Sequence, residues 1–78
     1  MARRPRHAMP DDVRAAIDRA GVRGDFNDRP AYQRNDYVGW ITGARGDATR
    51  ARRIARMIDE LRAGGVYMGM AHRPSRKG

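Results

Sequence analysis

The sequence has no cysteine, so disulfides, thiolate metal sites and a cysteine nucleophile are excluded. Aromatic residues make up only 6% of the chain, with one tryptophan and one phenylalanine, so each large ring has a strong claim to the core. Serine occurs once, at Ser75 in a polar tail, and no Ser-His-Asp set can form around it. No glycine-rich phosphate loop lies between a strand and a helix, and no cofactor-binding motif is present. His7 and His72 stand apart in the tails, neither with a second ligand at metal-binding spacing. No apolar run approaches the roughly 18 residues of a membrane span. The arginines at the start are not followed by an apolar stretch, unlike a secretory leader. These absences predict a non-enzymatic, metal-free and cofactor-free cytoplasmic domain.

What remains is 78 residues with a net charge of +8. That length makes one small domain with a thin core. The charge is unevenly placed. Arg3, Arg4 and Arg6 near the start and Arg73, Arg76 and Lys77 near the end carry much of it. Between them, residues 11–28 hold five Asp against three Arg, and residues 45–71 hold six Arg against three acids. The folded body is therefore less basic than the whole chain, and polarised. The preference for arginine over lysine suits bidentate phosphate recognition. A GC-rich genome produces the same bias.

Residues 1–9 are basic and lack periodicity, which predicts a disordered tail. A helical domain is expected over 10–65. Pro10-Asp11-Asp12 is a helix start, with Val13, Ala16, Ile17 and Ala20 forming one apolar stripe and Gly21 a stop. A first helix is read over 11–20. Val22 and Phe26 allow an extra short helical turn near 22–28. Pro30 opens a second helix over 30–44, with Tyr37, Val38, Ile41 and Ala44 inward and Trp40 beside them. Arg29, just before it, is a poor cap. Asp47 is a good cap for a third helix over 47–63, whose inner face is Ile54, Met57, Ile58 and Leu61, with Asp59, Glu60 and Arg62 to solvent. The short link between the last two helices predicts an αα-hairpin. Val66-Tyr67-Met68-Gly69-Met70 is apolar but non-periodic, and nothing resembles a strand pair. Residues 66–78 read as a tail, partly packed and then disordered. The expected fold is all-α: a small three-helix bundle held by Trp40, Tyr37, Ile41, Ile54, Ile58 and Leu61 against Val13, Ile17 and Phe26.

The one surface pattern with functional content is Arg45, Arg50, Arg52, Arg53 and Arg56. These side chains could neutralise phosphates along one edge of the hairpin, with steep salt dependence. Tyr32 or Trp40 could stack on bases. The same arginines, with Trp, Tyr and Met, are the residue types enriched at protein interfaces. Equally, they solubilise a helix face and pair with Asp36, Asp47 or Asp59.

Phe26, Pro30, Arg34, Tyr37-x-x-Trp40-Ile41, Ala44-Arg45 and Thr49-Arg50-x-Arg52-Arg53-Ile54, closing at Leu61 and Gly64, resemble the C-terminal module of the bacterial YdeI/OmpD-associated (OmdA, bacteriocin-protection) family. The likeness is close over 26–64 and loose over the first helix. It departs at Arg29, where the family usually has a Ser-like cap, at Asp47-Ala48, where it has Pro-Glu, and at Gly39, where it has a charged residue. The resemblance implies a small helical, non-catalytic domain, and the family label implies a part in tolerance to antimicrobial peptides or envelope stress; with the interface-type residues above, the expected function is a non-enzymatic binding module, a protein-interaction adaptor. The alternative reading is a small basic nucleic-acid-binding protein using the arginine face of the third helix. The sequence names neither the partner nor the oligomeric state.

Overall fold

The computed structural model describes residues 6–77. It is mostly helical: α1 spans Asp11–Ala20, α2 Arg23–Asp28, α3 Ala31–Thr42 and α4 Asp47–Ala63. A two-stranded antiparallel ribbon follows, β1 Val66–Tyr67 and β2 Met70–Ala71, then a 3-10 turn over Arg73–Ser75.

The helix boundaries have local causes. Asp11 and Asp12 stand in the first turn of α1, at the positive end of its dipole. Gly21 closes it at φ 71°, its N–H reaching Asp18 O while Val22 N–H reaches Ile17 O. α2 is a complete short helix that buries Phe26. α3 is two residues shorter at its end than its pattern suggests, closing at Thr42 before Gly43. In α4, Asp47 is the first helical residue rather than the cap, and Gly46 takes the cap position at φ 85°.

α4 is the central element, packing against α1, α2, α3 and β1. The core is Val13 and Ile17 of α1, Val22, Phe26, then Tyr37, Val38 and Ile41 of α3, Met57, Ile58 and Leu61 of α4, and Tyr67 of the ribbon. Two expected core residues lie at its margin: Trp40 and Ile54 are only half-buried.

The all-α expectation is corrected by the ribbon. Met68 and Gly69 both have positive φ, 51° and 79°, the paired left-handed conformation that closes a two-residue hairpin without splaying its strands. Val66 lies opposite Ala71, and Tyr67 opposite Met70.

Two further corrections concern charge. Glu60, expected at the surface, is only 7% exposed. Arg29, read as a poor cap, is 4% exposed and lies inside the fold. Its guanidinium donates to Val66 O at 2.8 Å, Glu60 O at 3.1 Å and Gln33 Oε1 at 3.2 Å. One planar fork thus joins α3, the last turn of α4 and the start of the ribbon.

The segments flanking the helices are seated on them. His7 N–H donates to Asn35 Oδ1 at 2.8 Å, and Met9 packs against the core. Beyond the ribbon, Gly65 N–H donates to Ser75 O at 3.0 Å, and Lys77 Nζ reaches Arg62 O at 2.9 Å. These bonds hold residues expected to form a loose tail against the end of α4. The tail reading of residues 1–5 falls outside the described residues.

Candidate functional site: a tryptophan and arginine groove

The five arginines singled out in the sequence do not form one free row. Arg50 is committed to Asp12 across the fold, Nε to Oδ2 at 2.7 Å and Nη2 to Oδ1 at 2.9 Å. This bidentate pair ties α4 to the start of α1. The hydrogen bond holds the Asp12 carboxyl below its usual range against the opposing effect of burial, and Asp12 in turn raises Arg50. Arg45 lies exposed in the loop between α3 and α4.

Arg52, Arg53 and Arg56 do converge. With Trp40 and Thr49 they line an open groove of about 270 Å³ between the end of α3 and the first half of α4. Arg53 is pinned there: it donates to Trp40 O at 2.6 Å, and its guanidinium carbon lies 5.3 Å from the indole ring centroid. That contact is a cation–π pair, and it covers one face of the ring. Arg52 extends outward, with one Nη2 contact to Thr49 Oγ1 at 3.1 Å. Arg56 is also exposed; its Nε lies 3.4 Å from Glu60 Oε2.

Behind the groove sits a polar centre that sequence reasoning missed. Glu60 Oε1 accepts from Tyr37 Oη at 2.6 Å and from Met68 N–H at 2.8 Å, and Oε2 accepts from Gly69 N–H at 2.8 Å. Burial pushes the Glu60 carboxyl up, but hydrogen bonds from Tyr37, Gly69, Met68 and Arg56 outweigh it, and the net shift is downward. Tyr37 moves the other way: burial, then its bond to Glu60 and the nearby carboxylate charge, push its hydroxyl well above the ordinary tyrosine value. This ionised carboxylate fixes the ribbon turn to α4, and Arg56 connects it to the groove. A signal for Glu60 was present: it is three residues from Met57, on the inner face of α4.

No group of three or more His, Asp or Glu side chains among the described residues is placed to hold a metal ion. No helix among them is long and apolar enough to cross a membrane.

A family model described as "Bacteriocin-protection, YdeI or OmpD-Associated" (OmdA) matches residues 7–64. No curated protein and no solved structure matches the chain. The match spans every helix of the fold, and the chain belongs to the OmdA family.

Proposed function

We propose that this OmdA-family domain is a non-enzymatic binding module whose working surface is the groove between α3 and α4, and that it acts in the cytoplasm as a protein-interaction adaptor. The observation that carries this reading is the convergence of Trp40, Arg52, Arg53 and Arg56 at one open groove. Trp and Arg are the residues that most often dominate interface energetics. The indole is already held by Arg53, so its side chain entropy is largely spent before any partner arrives. We place such an adaptor in tolerance of antimicrobial peptides or envelope stress, a reading supported only by the words bacteriocin-protection in the family description.

The geometry favours a protein partner over a nucleic acid. Arg50, which would extend the row of cations, is neutralised by Asp12. One face of Trp40 is covered by Arg53, which removes a platform for base stacking. Titration of the full chain with duplex and single-stranded DNA at two salt concentrations tests the choice. The adaptor reading expects weak binding, lost at the higher salt and weakened by Arg52→Glu with Arg56→Glu no more than by the equal charge change of Arg14→Glu with Arg19→Glu, as for diffuse contacts of a basic chain. Tight binding abolished by the Arg52 and Arg56 reversal alone would replace it with the nucleic-acid reading.

A further inference from the structure

Arg52 and Arg56 stand four residues apart on α4, separated by about 6 Å of helix rise. Both are exposed, and each keeps N–H donors beyond its single contact to Thr49 or Glu60. Arg53, held on the indole, supplies a third positive charge between them and Trp40. The groove thus presents two adjustable forks and one fixed cation beside a half-buried apolar ring.

Building on the reading of this groove as a protein-binding surface, we infer that it receives an extended acidic segment of a partner protein. Two carboxylates, two residues apart, meet Arg52 and Arg56, and an apolar side chain two residues further along, on the same face, rests against the Trp40 edge and Thr49. The spacing carries the argument. In an extended chain, residues i and i+2 face the same side, about 6.6 Å apart. That matches the separation of the two arginines along α4. Adjacent acids point to opposite sides and cannot engage both. Arginine suits this task because its planar fork can grip a carboxylate through two parallel bonds. The groove, about 270 Å³, admits one side chain rather than a folded surface. Charge complementarity selects the acid: the groove has three arginines, and the one carboxylate behind them, Glu60, is held by Tyr37, Met68 and Gly69 and meets only Arg56 Nε, at 3.4 Å.

Trp40 is the sole tryptophan of the chain and lies in the groove, so its emission reports occupancy directly. The full chain is titrated with three capped peptides: Leu-Thr-Asp-Thr-Glu, in which the leucine and both acids share one face, its amide counterpart Leu-Thr-Asn-Thr-Gln, and Leu-Thr-Asp-Glu-Thr with adjacent acids. The first is expected to give a saturable change. The second and third bind about tenfold more weakly, as does the first peptide to Arg52→Ala or Arg56→Ala. Arg52→Lys, which keeps the charge but loses the fork, is also weaker than wild type. Arg19→Ala, at an exposed position of α1, leaves binding unchanged. Equal binding of the amide peptide overturns the acidic chemistry while leaving the surface intact. Equal loss from Arg19→Ala shows diffuse attraction and overturns the site-specific claim. No saturable change with any peptide overturns the inference about the occupant, whereas the groove itself is judged separately by cross-linking from its rim.

Discussion

The Tyr37 hydroxyl donates to Glu60 Oε1 at 2.6 Å, a bond between a buried phenol and a carboxylate that also holds two backbone N–H groups of the ribbon turn. The bond links α3 to α4, and the carboxylate links both to Met68 and Gly69. Removing each end has a different consequence. Tyr37→Phe leaves Glu60 with its two backbone donors and is expected to cost about 2 kcal/mol. Glu60→Ala strands the phenol and both amides and is expected to cost about 3 kcal/mol or more. Urea unfolding of both variants measures the difference. Hydrogen exchange at Met68 and Gly69 should speed up in Glu60→Ala and stay slow in Tyr37→Phe.

Acid should weaken the fold through the same carboxylate. Glu60 titrates below its ordinary value of 4.5 when folded. A depressed folded value means that its contribution is fully present above the unfolded value. It is lost as pH falls through the lower folded one. Asp12, held down by Arg50, adds to the loss in the same direction. Stability should therefore change little through neutral pH and drop as pH falls below the ordinary carboxylate range. Glu60→Gln should be less stable at neutral pH and show a shallower acid slope, read from melting temperatures across pH.

Arg29 is expected to tolerate no substitution well. Its guanidinium satisfies Val66 O and Glu60 O, and Gln33 Oε1 closes the set. Arg29→Lys keeps the charge but offers a compact ammonium that cannot span these acceptors, so a loss of about 2 kcal/mol is expected. Arg29→Ala should lose more. Urea midpoints rank the two.

Gly39 gives a prediction of opposite sign. A Cβ there would meet His7 Nε2 at 2.6 Å, but that atom is the far end of an exposed side chain near the chain start. Gly39→Ala gains about 1 kcal/mol of helix propensity within α3. The melting temperature should hold or rise, and the His7 amide should lose its protection as displacement of the imidazole from Gly39 draws the His7 N–H away from Asn35 Oδ1. A sharp fall in melting temperature would mean that His7 braces α3.

The contrast between α1 and the polar centre explains how far the sequence could be read. α1 was legible because its acids, apolar stripe and Gly21 all act locally. The Met68-Gly69 turn was not, since methionine is an unusual choice at positive φ, and here Glu60 from another element supports it. Charge alone assigns Glu60 outward, although its three-residue spacing from Met57 puts it near the inner face, and Arg29 reads only as a poor cap. The arginine row was visible, but not its division. Arg50 is claimed by Asp12, 38 positions away, and Arg53 by Trp40, 13 positions away. Such pairings arise only when helices are brought together.

Trp40 illustrates the consequence for the site. As a core residue its loss would unfold the domain. At the margin, with one face against Arg53, Trp40→Ala should leave a cooperative fold with a lowered melting temperature. The loss should be below the roughly 3–5 kcal/mol of a fully buried aromatic truncation. Calorimetry decides between a shifted transition and none.

The claim that the α3–α4 groove is the working surface is tested most directly by site-specific photo-cross-linking in living cells, with the reactive side chain placed either at Thr49 on the groove rim or at exposed Ala15 of α1. The account predicts discrete protein adducts from position 49, absent from position 15 and lost when Arg52→Glu and Arg56→Glu are added. Adducts that are equally strong from both positions, that survive the double reversal, or that consist of nucleic acid would contradict it.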